Sequence, residues 1–198
     1  PQPLTGDKEQ WTWEPFDDAF CADGNPTGLA LNLTDRGPNA VIFLAGGGAC
    51  WDYHSCYESG SATYVQSGFV ESDMPFVSLM ATAVGLLNRD DPNNPFRDDS
   101  LVAIPYCTGD AFSGDKVSTY QGKDTHHVGH ANIMAYLPRL VATFPKATRI
   151  TLVGVSAGGM GAVYNWWHVQ QAFKDIRVDV INDSGAAMPS PYLREEVV

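Results

Sequence analysis

The sequence has few basic residues and no long apolar run. It holds 12 Lys and Arg against 23 Asp and Glu in 198 residues, which gives a formal net charge of −11. This excess of negative charge disfavours nucleic acids and anionic membranes as partners, and it makes a densely charged polyanion an awkward substrate. Because no apolar stretch reaches the roughly 18 residues that a membrane span needs, no such span is predicted.

Cysteine is scarce, and no pair has the C-x-x-C spacing typical of a zinc site. The four cysteines are Cys21, Cys50, Cys56 and Cys107. An even number of cysteines in an acidic, lysine-poor chain predicts two disulfides and a secreted protein, extracellular or periplasmic. Cys50 and Cys56 are near enough to close a small loop, which leaves Cys21 to pair with Cys107. Four free thiols in the core are the alternative.

Short apolar runs separated by longer segments predict a mostly parallel sheet with helices on both faces, in a single α/β domain. Buried strands are predicted at 41–44, 101–104, 150–153 and 178–181, and a half-exposed strand at 29–33. From His130 onwards an apolar stripe predicts a helix, which Pro138 should kink or restart. The remaining segments are predicted as an irregular edge over 1–20, a first helix over 59–69, and loops over 78–96 and 106–122.

The stretch around Ser156 carries the clearest chemical signal. Gly154 to Gly158 fits G-x-S-x-G between a predicted strand and a predicted helix, the pattern of a nucleophile elbow. So tight a turn leaves no room for side chains two residues either side of the serine, and the helix that follows favours developing negative charge. Ser156 is therefore predicted to be the nucleophile, and a structural serine in a glycine-rich turn is the alternative. The inner face of the helix is predicted to hold Met160, Val163, Tyr164 and Trp167.

Several motifs together resemble one family, the pectin acetylesterases and Notum carboxylesterases, which are α/β-hydrolases. The resemblance runs in the family's order through most of the chain. It is carried by C-A-D-G-N-P-T-G at 21–28, L-A-G-G-G-A-C-W at 44–51, G-L-L at 85–87 with N-P-F at 94–96, P-Y-C-T-G-D-A-F-S-G at 105–114, G-V-S-A-G-G at 154–159 and D-S-G at 183–185.

The resemblance implies an ester hydrolase with Ser156 as nucleophile. It implies an oxyanion hole formed by backbone N–H groups of Gly47, Gly48 and Ala157, and it supports the Cys50–Cys56 bridge. No cofactor and no metal are expected. Ala45 and Ala49 stand where the family usually has Glu and, in plant members, Trp, so the resemblance leaves the substrate open. Further candidates for lining the site are Trp51, Asp110, His127 and Asp183.

A serine nucleophile needs a histidine base and an acid that orients it, and in this fold both follow the serine. Only His168 follows Ser156, and 12 residues of one helix put it about 18 Å away. The other histidines precede the serine: His54, His126, His127 and His130. The H-H-x-x-H spacing of the last three favours structural or site-lining roles over a metal site.

We therefore expect residues 1–198 to be the N-terminal portion of one α/β-hydrolase domain, incomplete at its C-terminus. A second segment or chain of the same protein should carry the catalytic Asp and His. The predicted function is a secreted serine ester hydrolase that removes a short acyl group, acetyl in the first instance, from a carbohydrate or similar ester. The alternatives are a broader lipid, aryl or polyester esterase, and a binding protein whose triad does not function.

Overall fold

A computed structural model describes residues 1–83 and 85–185, and these form a six-stranded sheet, a separate hairpin and three helices. The sheet contains β1 (Thr12–Phe20), β2 (Pro26–Asn32), β3 (Ala40–Leu44), β4 (Ser100–Ile104), β7 (Arg149–Val155) and β8 (Arg177–Asp183). The hairpin pairs β5 (Lys116–Tyr120) with β6 (Lys123–His127), and the helices are α1 (Met74–Ala83), α2 (Gly129–Thr143) and α3 (Ala157–Phe173). Residues 186–198 of the predicted domain lie outside the described residues.

The strand order across the sheet is β1-β2-β4-β3-β7-β8. The strands β4, β3, β7 and β8 are parallel, as predicted, whereas β1 and β2 are antiparallel to their neighbours. In the centre, Ile42 of β3 lies opposite Val102 of β4 and Leu152 of β7. Parallel strands present their carboxyl ends at one edge, so the loops after β3, β4 and β7 meet there.

The strands β3 and β4 are buried along their whole length, as the continuous apolar runs indicate. The strand predicted at 29–33 is present as the end of β2, but it is not half-exposed, since every residue of β2 after Pro26 is buried and the strand is paired on both edges. In α2 the predicted stripe is confirmed by the burial of Ile133, Leu137 and Leu140. This helix continues through Pro138 and does not restart.

Four other local predictions are wrong. Residues 12–20 form the strand β1. Its pairing register shifts between Phe16 and Phe20, so the alternation of apolar and polar residues is interrupted in the sequence. Residues 59–69 form turns instead of a helix, because Tyr64 and Gly68 adopt left-handed backbone conformations. The loop predicted over 78–96 includes the end of α1, and the loop predicted over 106–122 includes β5. The strands β5 and β6 are short and largely exposed, so they lack a burial pattern.

The predicted inner face of α3 is also wrong, apart from Met160, which is partly buried against the core. Its buried face consists mostly of small residues, and Tyr164 and Trp167 are 47% and 58% exposed. The helix lies so close to the sheet that a Cβ on Gly158 would overlap the carbonyl oxygen of Leu44. Large side chains therefore have to point away from the sheet.

Both predicted disulfides are present, and each joins Cα atoms 5.0 Å apart. The Cys21–Cys107 bridge ties the residue after β1 to the loop after β4, and Cys50–Cys56 closes the loop after β3. Among the described residues, no helix has the length and apolar character needed to cross a membrane.

Candidate active site

Ser156 lies on a strained turn between β7 and α3, and its side chain is exposed. Its φ of 55° and ψ of −119° are unusual for a residue with a side chain. The turn is fixed by neighbours, because the Ser156 N–H donates to the Asp183 carbonyl at 2.8 Å. A Cβ on Gly154 would overlap the Gly158 carbonyl, which explains why both ends of the turn are glycine. The serine is thus held outward at the N-terminus of α3.

Ser156 opens into a small cleft of about 130 Å³ at the carboxyl edge of the sheet. The walls come from three loops and the first turn of α3, and most of them are apolar. The lining residues are Gly48, Ala49, Ala111, Ser156, Ala157, Met160 and Ser184. The fold therefore brings together the predicted nucleophile and two of the three predicted oxyanion-hole residues, Gly48 and Ala157.

The glycine loop after β3 runs directly against the elbow. A Cβ on Gly46 would lie 2.7 Å from the Val155 carbonyl oxygen and 3.1 Å from the Ser156 Cβ. Gly47 does not line the cleft, and its carbonyl accepts the Thr63 N–H at 2.8 Å. Gly48 has a φ of 77°, and a Cβ there would overlap the Ser61 carbonyl oxygen. Within residues 1–83 and 85–185, neither the Gly47 nor the Gly48 N–H donates a hydrogen bond.

The segment that follows the glycine loop is a closed turn. Its ends are tied by the Cys50–Cys56 disulfide, and the Ser55 hydroxyl oxygen accepts the N–H groups of Trp51 and Asp52 at 3.0 and 3.1 Å. The Asp52 carboxylate in turn accepts the Ser55 N–H and hydroxyl, both at 2.7 Å, and these bonds hold the pKa of Asp52 below its usual value. The backbone of Trp51 is thus fixed while its side chain is 70% exposed.

Asp110 supports the turn that carries Ala111, a residue of the cleft wall, but Asp110 does not itself line the cleft. Its carboxylate accepts the Thr108 hydroxyl at 2.6 Å and the backbone N–H groups of Phe112, Gly114 and Gly129 at 3.0, 3.1 and 2.7 Å. These bonds stabilise a turn in which Ala111 and Phe112 both have positive φ. Ala111, which faces the cleft, also donates its N–H to the Tyr106 hydroxyl at 2.7 Å. Burial raises the pKa of Tyr106, so this hydroxyl stays protonated.

His127 lies behind the cleft, against the Cys50–Cys56 disulfide. Its Nδ1–H donates to the Thr108 carbonyl at 2.8 Å, so its Nε2 accepts from the Tyr120 hydroxyl at 3.1 Å. Since the two cysteines are bonded to each other, their sulfurs are not available as thiolate ligands for a metal. His127 therefore supports the loops beside the cleft and is not in contact with it.

The other histidines lie apart from one another. Among the described residues, none of the five histidines forms a hydrogen bond with Ser156. His126 lies beside Gly24, and the His130 Nδ1–H donates to the Asn165 side-chain oxygen at 2.7 Å. His126 and His127 belong to β6 and His130 to α2, so the three do not share a helical turn. His168 packs against His130, with ring centroids 4.7 Å apart. Exposed His54 pairs with Glu58, which raises the pKa of His54.

Asp183 contacts Ser156 through its backbone carbonyl and not through its carboxylate. Its carbonyl accepts the Ser156 N–H, while its side chain accepts the Ser184 hydroxyl at 3.0 Å. It is Ser184, the next residue, that lines the cleft. Sequence reasoning missed Ala111, Met160 and Ser184. The positive φ values of Ala111 and Ser184 have no sequence signature, because neither is glycine or asparagine.

The chain resembles known proteins in sequence and fold. The pectinacetylesterase family model matches residues 14–195. Palmitoleoyl-protein carboxylesterase notum1a of Danio rerio is 29% identical over 175 residues, 83% of this chain and 33% of that protein. Pectin acetylesterase 5 of Arabidopsis thaliana is 27% identical over 179 residues, 87% of this chain and 40% of that protein. The chain thus spans well under half the length of these curated relatives.

The fold has a solved counterpart. The crystal structure of the Wnt deacylase Notum from Drosophila superposes with a TM-score of 0.65 at 20% sequence identity, covering 94% of this chain and 56% of that one. This likeness shows that the sheet and its helices have the α/β-hydrolase fold.

Proposed function

The chain belongs to the pectinacetylesterase family, and from that premise we propose that it is the nucleophile-bearing part of a serine ester hydrolase. The observation that carries the proposal is the exposed Ser156 on a strained elbow, in one cleft with Gly48 and Ala157. A serine with a purely structural role would not need to point outward at the N-terminus of a helix. Nor would it need to lie beside backbone N–H groups, such as that of Gly48, that donate no hydrogen bond among the described residues.

The geometry supports the following division of roles. The Ser156 hydroxyl oxygen attacks the ester carbonyl carbon, and its proton passes to a base and then to the departing alcohol. The N–H groups of Gly48 and Ala157, the two predicted oxyanion-hole residues that line the cleft, donate to the developing oxyanion, which the N-terminus of α3 also favours. As the first residue of α3, Ala157 has no acceptor for its N–H inside the helix. Water then hydrolyses the acyl-enzyme and regenerates Ser156.

The base and its acid come, in this proposal, from a further segment or chain of the same protein. Two observations support a further layer beside β8: Val180 and Ile181 of that strand are 41% and 39% exposed, and the outer face of α3 exposes Tyr164 and Trp167. An apolar strand edge of this kind favours a covering partner. Intact mass and denaturing electrophoresis of the active preparation test this. If only the 21.5 kDa chain were found and it hydrolysed esters, a histidine of this chain would have to be the base.

The walls of the cleft support a short acyl group. Ala49, Ala111 and Ala157 each contribute only a methyl group, and the space they enclose with Met160 is about 130 Å³. We propose acetyl as the acyl group and a carbohydrate or similar alcohol as the other part of the ester. A broader lipid, aryl or polyester esterase is the second candidate, because several relatives are named palmitoleoyl-protein carboxylesterases.

Hydrolysis of p-nitrophenyl esters with two, four, eight and sixteen acyl carbons separates these candidates. A kcat/KM that falls as the chain lengthens supports the acetyl proposal, and one that rises supports the lipid esterase. Should the complete protein turn over none of them, the binding-protein alternative would stand. Ser156→Ala is the matched control for background hydrolysis.

We also propose that the protein is secreted. Both disulfides are buried, and among the described residues there is no free cysteine. Disulfides persist in oxidising compartments and are rare in the cytosol. Peptide mapping without reductant checks the pairing, and four alkylatable thiols in the native protein would contradict both the bridges and secretion.

A further inference from the structure

Trp51 is exposed although its backbone is held more firmly than that of an ordinary loop residue. The Cys50–Cys56 disulfide and the Ser55 hydroxyl fix the turn, yet 70% of the Trp51 surface faces solvent. It is the most exposed large apolar side chain among the described residues. Packing against the residues that the structure describes therefore does not explain a tryptophan at this position.

The position of Trp51 relates it to the cleft. Gly48 and Ala49 line the cleft beside Ser156, and the chain reaches Trp51 two residues later. The space inside holds only a small acyl group, so the alcohol part of an ester bound at Ser156 has to lie outside it, at the mouth. Two residues of chain span at most about 7 Å, so the Trp51 backbone lies within that distance of Ala49 in the cleft wall. A flat indole carried by so rigid a turn loses little conformational entropy on binding.

We propose that Trp51 determines specificity for the alcohol part of the substrate, by stacking its indole on the pyranose ring of an acetylated neutral sugar. This inference rests on the proposed ester hydrolase function. One face of a pyranose presents C–H groups, which pack on an aromatic face and remove apolar surface of both partners from water. Hydroxyl groups at the ring edge stay in solvent or reach polar groups of the turn.

The charge of the turn supports a neutral sugar. Asp52 is exposed next to Trp51 and is kept ionised by its bonds to Ser55, whereas Glu58, just beyond the turn, is paired with His54. Carboxylates accept hydrogen bonds from sugar hydroxyls, whereas they repel the carboxylate of a uronic acid. The net charge of −11 acts in the same direction.

The test compares two acetate esters in the active preparation. Ethyl acetate has an alcohol too small to reach Trp51, and methyl 6-O-acetyl-glucopyranoside carries a neutral ring. We expect Trp51→Ala and Trp51→Leu to lower the ratio of kcat/KM for the sugar ester over ethyl acetate about five- to tenfold, the strength of an aromatic contact, mainly through KM. Trp51→Phe, which keeps a ring, should recover most of the ratio. An acetylated methyl galacturonoside should be the poorer substrate of the wild-type protein.

Two outcomes would overturn the proposal. An unchanged ratio in Trp51→Ala would show that the indole does not contact the sugar, and its surface would then serve another partner. Recovery by Trp51→Leu equal to that by Trp51→Phe would show that apolar area, and not a flat ring, is what counts.

A binding measurement keeps the proposal separate from the proposed function. In the Ser156→Ala background, calorimetric titration with the sugar ester should give a Kd about five- to tenfold weaker when Trp51→Ala is added. If the wild-type protein hydrolysed neither ester, the esterase function would fail while this titration still decided the role of Trp51. An unchanged Kd would count against it.

Discussion

Two strands of one sheet, β4 and β8, have similar apolar residues and very different surroundings. β4 is buried at all five positions between β2 and β3, whereas β8 buries only Val178 and leaves Val180 and Ile181 on the surface. The neighbours differ as well: among residues 1–83 and 85–185, β4 has a strand on each edge and β8 has one. The comparison teaches that an apolar pattern indicates a need for burial but does not identify the covering element.

The nucleophile lies between two sides of the sheet: the packed side, at β3 and β4, and the open side, at β8. The loops after β3 and β4 build the cleft walls from the packed side, while the Asp183 carbonyl at the end of β8 accepts the Ser156 N–H from the open side. Ordering of the β8 edge by a further segment would therefore also fix the elbow.

The largest expected effect is that of Ser156→Ala on ester hydrolysis. Removal of a nucleophile commonly costs on the order of 10⁴- to 10⁶-fold in kcat. Because the Ser156 side chain is exposed, the thermal midpoint should not change, and the structure of the packed and open sides should be the same as in the wild-type protein. A variant that retained a tenth of the wild-type rate would show that Ser156 is not the nucleophile.

The two disulfides should differ in their effect on stability. Cys21–Cys107 spans 86 residues on the packed side and Cys50–Cys56 spans 6, so loop-closure entropy gives about 4.6 and about 2.2 kcal/mol respectively. Urea unfolding of the Cys21→Ala/Cys107→Ala and Cys50→Ala/Cys56→Ala double variants measures this. Equal losses would indicate that the unfolded-state entropy does not dominate.

Gly48→Ala should reduce kcat about 10²- to 10³-fold by moving an oxyanion donor. The added Cβ would overlap the Ser61 carbonyl oxygen, so the loop has to shift. Gly60→Ala is the matched control, since Gly60 also has positive φ but a Cβ there meets nothing within 4 Å. Both variants should lose about 1 kcal/mol from backbone strain, and only Gly48→Ala should lose activity. If kcat fell equally in both, the loop would have no specific part in catalysis.

The smallest effect tests the comparison of the strands directly. In the 198-residue chain, Val102→Ala in β4 should lower the free energy of unfolding by about 2 kcal/mol, and Val180→Ala in β8 by less than about 0.5 kcal/mol. In the active preparation, a covering segment would raise the cost of Val180→Ala towards that of Val102→Ala. If Val180→Ala lowered the free energy of unfolding equally little in the active preparation, the further segment would not cover β8.

The predictions from sequence succeeded where local composition leaves little choice. The runs of β3 and β4 are almost entirely apolar, β7 and β8 carry enough Val, Leu and Ile to indicate strands, and the glycines around Ser156 favour a tight turn. They failed for β1, the hairpin and the buried face of α3. β1 and the hairpin pair with strands near in the chain, but the register shift in β1 and the exposure of the hairpin leave no burial pattern in the sequence. The buried face of α3 depends on close packing against β3, which is far away in the chain.

The sequence by itself determined the strand–turn–helix around Ser156, the two disulfides and the family. Its motifs also indicated which loops would come together. Only the tertiary structure decided the size of the cleft, the supporting role of Asp110 and His127, and the outward direction of Tyr164 and Trp167. These features depend on how near α3 lies to the sheet and on positive φ values at Ala111 and Ser184, which local residue preference does not predict. At Ala111 the turn is held by the Tyr106 hydroxyl and by the bond from the Gly129 N–H to Asp110.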